Sequence, residues 1–166
     1  MRKIVIAAAL LATAPAFAQP VPTILPNPTA AEADPTKRPD RGHGIPTALA
    51  IEAATVANDT CKANGNITTT IVTDVEGTPI VVISNDGAKA ITQRIAQSKA
   101  MISLAVKGPS NGAKVDASLG VVRPGGLPLM AGTTLVGAIG VSGSPSGGAD
   151  EVCAKAAIAK IQDRIK

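Results

Sequence analysis

The glycine-rich stretch from Gly125 to Asp150 constrains the fold of this chain more than any other part of the sequence. It begins with a Gly-Gly-x-Pro loop, continues as an apolar segment interrupted by glycine, and ends in a Gly/Ser-rich turn before the last helical segment. Such glycines let the backbone approach a ligand or another chain closely. The turn from Ser142 to Ala149 then exposes backbone amides at a predicted helix N-terminus, where an anion such as a carboxylate would bind. A plain flexible turn explains the same residues.

Two familiar interpretations of this stretch fail on spacing. Gly137, Gly140 and Gly143 are spaced G-x-x-G-x-x-G, whereas a dinucleotide-binding loop needs G-x-G-x-x-G. The sequence from Gly140 resembles a serine nucleophile elbow until its fifth residue, where Ser144 replaces the required glycine. A nucleotide loop and a serine hydrolase site are therefore both disfavoured.

The first eighteen residues have the pattern of an export signal. Arg2 and Lys3 form a short basic region, residues 4–14 are apolar, and Ala-Phe-Ala at 16–18 has the form of a cleavage site. The apolar run is too short for a good membrane span, and no later stretch is long enough. We therefore predict a signal peptide at 1–18, no membrane span, and a periplasmic or secreted protein.

Cleavage would leave a chain with weak charge and almost no aromatic side chains. Removal of residues 1–18 leaves 14 basic against 12 acidic residues and takes away the only phenylalanine; tryptophan and tyrosine are absent. The basic residues are scattered, so we predict no nucleic-acid partner, and stacking on aromatic platforms is excluded. A core built only from aliphatic side chains buries little area per residue, which favours a homo-oligomer.

Residues 19–46 read as a tether ahead of the folded domain, which we place at 47–166. Seven prolines and no apolar period predict an extended, partly disordered segment. His43 near its end is the only histidine of the chain. It is therefore the only imidazole available to a metal or to a catalytic triad, although a solvated side chain is the simpler interpretation.

Periodicity predicts three helices and two hairpins. Helical spacing covers 47–64, with Thr47 as its cap; about 88–106, with Asp86 as its cap; and the segment from Asp150, with Asp150 as its cap. Strand patterns cover 67–74 with 79–84, and 127–130 with 134–141, while 107–124 reads as a mobile connection or lid. The order helix, hairpin, helix, loop, hairpin, helix implies an antiparallel sheet with helices packed on it, an α+β domain.

The helical patterns leave two questions open. In the second helix the predicted apolar stripe is Ile91, Ile95, Ile102 and Ala105, and Lys99 lies at its edge, either snorkelling to water or contacting a ligand. Cys61 and Cys153 fall on the first and last helices, as a disulfide or as two buried thiols. A zinc site is disfavoured, since the chain has no C-x-x-C motif.

Three sequence pieces in order resemble the GlcG/HbpS-type haem-binding domains, also called the haem-degrading domain family and related to the C-terminal domain of PduO-type corrinoid adenosyltransferases. They are Asp74-x-x-Gly77 followed by Asp86-Gly87-Ala88; Ala96-x-x-Lys99-Ala100; and Gly125-Gly126-Leu127-Pro128-Leu129 leading to Val136 through Gly143 and then Asp150. The resemblance covers about residues 46–165. It implies a profilin-like domain with an antiparallel sheet of about five strands, assembled as dimers or larger rings.

The resemblance also implies haem or corrinoid binding and a role in haem or iron handling. We expect an exported haem-binding protein that is non-enzymatic or only incidentally haem-degrading; the alternative is an oligomeric module for a small carboxylate such as a glycolate-pathway metabolite. With haem as cofactor, the loops at Gly125 and Ser142 would form the rim of the site. The candidate cofactor-binding residues are Lys99, Met101, Gly125, Gly126, Met130, Ser142 and Gly143, and His43 is a candidate axial ligand to the iron.

Overall fold

A computed structural model describes residues 42–120 and 122–166. The predicted signal peptide and most of the predicted tether lie outside these residues. In the described part, the helices are α1 (Thr47–Ala63), α2 (Ala90–Val106) and α3 (Gly147–Ile161), and short 3-10 turns occupy Ala117–Leu119 and Gln162–Arg164. The strands are β1 (Thr69–Thr73), β2 (Pro79–Ser84), β3 (Gly126–Ala131) and β4 (Thr134–Ser142). The predicted α+β class and element order are confirmed.

The four strands form one antiparallel sheet in the order β2-β1-β4-β3. Each predicted hairpin is present, and β4 returns to pair with β1, which joins the hairpins at the centre of the sheet. The expectation of about five strands is wrong for the described residues, which contain four. The likeness to profilin stays a prediction.

One face of the sheet is covered by α1 and α3. Their buried positions are mostly alanine, so the two helices lie close together over Val72, Ile139 and Val141. Cys61 of α1 and Cys153 of α3 form a disulfide, with Cα atoms 5.5 Å apart. The cysteine question is thereby settled in favour of the bridge, which ties the first helix to the last.

The other face of the sheet is covered by α2, which packs unusually close. Gly126 and Gly140 are paired across β3 and β4, and a Cβ atom on either would collide with the backbone of α2 at Lys99 or Ala96. Small side chains therefore suit the interface. The predicted apolar stripe of α2 is wrong at Ile91, which is half exposed, and at Ala105, which is exposed, whereas Ile102 is buried as expected and Ile95 is half-buried. The residues buried on α2 are Thr92, Ala96, Lys99, Ala100, Ile102, Ser103 and Leu104.

The predicted helix caps are also corrected. Pro46 and Lys89 precede α1 and α2 without a side-chain cap, and α2 begins two residues later than expected because residues 85–88 form a turn. At α3 the cap is Ser146, whose hydroxyl accepts from the Ala149 amide at 3.3 Å. The predicted cap, Asp150, lies instead in the first turn and is buried. Its carboxylate is thus available for another partner.

Between α2 and β3, the described residues 107–120 and 122–125 are irregular apart from one 3-10 turn. Buried Ser110 anchors this connection, since its hydroxyl donates to the Arg123 carbonyl at 2.6 Å and accepts from the Gly126 amide at 2.9 Å. In the described part of the chain, no helix has the length and apolar character needed to cross a bilayer.

Candidate functional site

A buried ion pair joins the middle of α2 to the first turn of α3. Lys99 Nζ lies 2.7 Å from Asp150 Oδ2 and donates a second hydrogen bond to the Val141 carbonyl at 2.8 Å. The two side chains are only 2% and 3% exposed. The other Asp150 oxygen accepts from the Ser144 amide at 2.9 Å. Lys99 therefore neither snorkels nor faces solvent, which corrects the sequence-based expectation.

Gly125 explains how a lysine fits at this depth. Its φ of 114° lies in a region that favours glycine, and a Cβ there would come within 2.8 Å of Asp150 Cβ and 3.0 Å of Lys99 Nζ. The Gly125 carbonyl also accepts from the Val141 amide at 2.8 Å, which fixes the loop against β4. The first glycines of the Gly-Gly-x-Pro loop thus make room for the ion pair.

A cleft of about 140 Å³ opens beside the ion pair, between α2 and the loop that leads into α3. The loop turns at Gly143, whose φ of 139° and close approach to the backbone of residues 67 and 68 leave no space for a side chain. The cleft is lined by Thr92, Ile95, Lys99, Arg123, Ser142, Gly143, Ser144, Pro145, Gly147 and Asp150. Polar groups thus surround most of it, with apolar side chains from α2 and the loop.

The charge of the cleft is positive. Lys99 and Arg123 are basic and Asp150 is acidic, and these three are the titratable residues that line it. Burial lowers the pKa of Lys99 below its ordinary value, the hydrogen bond and charge of Asp150 oppose that shift, and the nearby Arg123 adds to it. Because Asp150 is neutralised by Lys99, Arg123 leaves one net positive charge for a ligand.

The predicted site residues fall into separate places. Lys99, Ser142 and Gly143 line the cleft, whereas Gly125 and Gly126 are buried beside Lys99 and do not line it. Met101 packs with Ala100, Leu104 and Ala138 on the α2 side of the sheet.

The remaining candidate ligands also lie away from the cleft. Met130 is in β3, and its carbonyl accepts from the Gln162 side chain at 2.9 Å. His43 is exposed, and its carbonyl accepts from the Val75 amide at 2.9 Å. Neither residue lines the cleft, and neither does Met101. Among the described residues, moreover, no three His, Cys, Asp or Glu side chains converge on a metal position.

Sequence reasoning missed Asp150 and Arg123 as site residues. Asp150 matched a helix cap, and Arg123 lies in an irregular connection without a pattern. The sequence did contain a signal that Lys99 is buried. Ala96 lies three residues before it, Ser103 four residues after it and Thr92 seven residues before it, so Lys99 shares a helix face with small and polar residues. A lysine on such a face calls for a buried acidic partner.

Comparisons with known proteins agree on one group. A family model described as "Haem degrading protein HbpS-like" matches residues 45–159. The crystal structure of HbpS is similar with a TM-score of 0.66 and 25% identity over 75% of this chain and 94% of that one. A double mutant of Streptomyces reticuli HbpS has a TM-score of 0.67 and 25% identity over 82% of this chain and 98% of that one.

A third solved structure, the PduOC:haem complex, has a TM-score of 0.63 and 22% identity over 70% of this chain and 94% of that one. At that identity, the likeness shows a shared fold alone. The search of curated proteins found no match.

Proposed function

The chain belongs to the HbpS-like family of haem-degrading proteins, and from this membership we propose that it binds haem or a related tetrapyrrole. The observation that carries the proposal is the extent of the family match, which runs from just before α1 into the last turn of α3 and so includes the whole sheet. A solved relative of the same fold is described as a complex with haem. We further propose that the protein is exported, forms a homo-oligomer with a profilin-like fold, and handles haem or iron without catalysing a reaction itself.

The described residues fit one part of a haem, its carboxylate. Pockets that enclose a drug-sized ligand are about 300–1,000 Å³, so a cleft of about 140 Å³ is too small for a tetrapyrrole ring. It has room for a propionate, and its net positive charge suits one. The ring would then lie outside the cleft.

The iron requires a ligand from elsewhere, since neither imidazole nor thioether lines the cleft. His43 is exposed, whereas Met101 and Met130 are partly buried. Bound haem would supply an iron centre for ligand exchange or electron transfer. The contribution of this chain is to hold the carboxylate end and to orient the group.

Titration of the purified protein with hemin tests the proposal. We expect a sharpened Soret band that saturates at a defined stoichiometry. A spectrum no different from that of free hemin would end the haem proposal. The His43→Ala, Met101→Ala, Met130→Ala triple variant tests the candidate ligands, because a band unchanged in this variant would exclude all three as necessary for binding.

A second candidate function is that of a binding module for a small free carboxylate. The volume of the cleft favours it, because a small acid would fit entirely within about 140 Å³. A ligand that binds only the folded state raises the melting temperature, so a thermal-shift screen of small organic acids tests this function. No shift with any acid, together with a clear shift with hemin, would decide against it.

A further inference from the structure

We propose that the cleft contains a carboxylate-binding subsite formed by Lys99, Ser142 and Arg123. The ligand class is a carboxylate on a short aliphatic chain, either a free acid or the propionate of a tetrapyrrole. The inference deepens the proposed function and shares its site, but each has its own test. It follows from hydrogen-bonding groups that the folded chain leaves unused.

Lys99 provides the first of these groups. A lysine ammonium has three donors, and here the Val141 carbonyl and Asp150 Oδ2 accept two of them. Within residues 42–120 and 122–166, the ammonium makes no third hydrogen bond. Because the side chain is 2% exposed and lines the cleft, a ligand in the cleft is the natural acceptor for that donor.

Ser142 provides the second group. The residue is 5% exposed and lines the cleft, and no described residue hydrogen-bonds to its hydroxyl. The nearby hydroxyl of Thr69 is already engaged with Ser84 and Thr92, at 2.8 Å each. A buried hydroxyl that faces a cleft without a partner calls for a ligand atom to bond with.

Arg123 provides the net charge. In the part of the chain that the structure describes, it forms no ion pair, although it is exposed beside the cleft. Asp150 does not oppose an anion, since both of its oxygens are occupied by Lys99 and the Ser144 amide. A guanidinium is also well suited to a carboxylate, because its N–H groups match the two oxygens in geometry.

The remaining walls set the size of the ligand. Ile95 and Pro145 place apolar surface in the cleft, which fits a short hydrocarbon chain behind the carboxylate. A small acid would be held entirely, whereas a propionate would enter with its ring outside. The shared chemistry is thus a carboxylate on about two or three carbons.

The subsite is tested with propionate and with its uncharged analogue propionamide as probes, and with hemin beside hemin dimethyl ester. The variants are Arg123→Gln and Ser142→Ala, and Arg94→Gln, an exposed arginine of α2 that does not line the cleft, is the matched control. Lys99 is left intact because its replacement would leave the Asp150 carboxylate buried without a counter-charge, so that a change in ligand binding would be mixed with a change in stability. Far-ultraviolet circular dichroism confirms that each variant is folded.

We expect Arg123→Gln to weaken carboxylate binding about tenfold or more, Ser142→Ala to weaken it less, and Arg94→Gln to leave it unchanged. A thermal shift with propionate but not propionamide identifies a free acid as ligand. Tighter binding of hemin than of its ester, with the difference lost in Arg123→Gln, identifies a tetrapyrrole propionate.

The proposal is overturned if propionate gives no shift and hemin and its ester bind alike, or if Arg94→Gln weakens binding as much as Arg123→Gln. A Soret response shared equally by hemin and its ester would then leave haem binding standing and remove only the subsite. Propionate binding without any Soret response would leave the subsite standing and remove haem binding.

Discussion

Replacement of Asp150 by asparagine should destabilise the protein strongly, because it leaves the Lys99 ammonium buried without a counter-charge. At 2.7 Å and an effective dielectric constant of about 20, the Coulomb attraction of the pair is about 6 kcal/mol, and desolvation of the two ions offsets several kcal/mol of it. Removal of one partner from such a pair costs about 3–5 kcal/mol. We expect a decrease of that size in the free energy of unfolding.

The chain offers a control with the same atom-to-atom distance. Lys155 and Glu151 are also 2.7 Å apart, but their side chains are 65% and 18% exposed. Solvent screening limits such a helical pair to about 0.3–0.5 kcal/mol. Glu151→Gln should therefore change the unfolding free energy by a small fraction of what Asp150→Asn does, and burial is the difference between them.

The assay is urea unfolding followed by far-ultraviolet circular dichroism, since the chain has no tryptophan or tyrosine to provide fluorescence. A double variant, Lys99→Met with Asp150→Asn, should be clearly more stable than the sum of the two single changes predicts, because neither charge is then left alone. If Asp150→Asn costs no more than Glu151→Gln, the ion pair is accessible to water and the reasoning fails.

Three further changes test the packing, the disulfide and the titration of the buried lysine. Gly140→Ala should lower the unfolding free energy by about 1–3 kcal/mol or more, because its Cβ would meet the backbone of α2. Gly148→Ala, whose Cβ would have only a 3.9 Å contact, should be neutral or stabilising. Equal urea midpoints for the two variants would contradict this. Replacing Cys61 and Cys153 by serine opens a cross-link across 92 residues and should lower the unfolding free energy by about 4.6 kcal/mol in the chain-entropy model. An unchanged urea midpoint would contradict this. Burial lowers the pKa of Lys99 in the folded protein below its ordinary 10.5, so at pH values between the two pKa values the unfolded chain binds more protons than the folded one. In that pH range the unfolding free energy should rise with pH, relative to that of Lys99→Met. A difference in unfolding free energy between the two proteins that does not change with pH would contradict this sign.

The elements of the fold could be predicted from the sequence because their signals are local. Alternating Thr, Ile and Val residues identify a strand wherever they lie, and a helical period identifies a helix, so the element order and α+β class follow from neighbours along the chain. The glycine-rich stretch from Gly125 was likewise a sound guide, because glycine marks places where backbone is approached closely. The structure shows that this backbone approaches α2 and Lys99.

Tertiary structure decided which helix faces are buried and which distant side chains meet. The sequence by itself indicated that α2 would bury Ile91 along with Ile102, but Gly126 and Gly140 bring the helix so close to the sheet that mostly small and polar residues fit between them, and Ile91 is exposed. Lys99 consequently points inward, where only a partner 51 residues away, Asp150, makes its charge tolerable. Local patterns carry no record of such partners, since the free energy of a buried charge depends on what the whole fold places beside it.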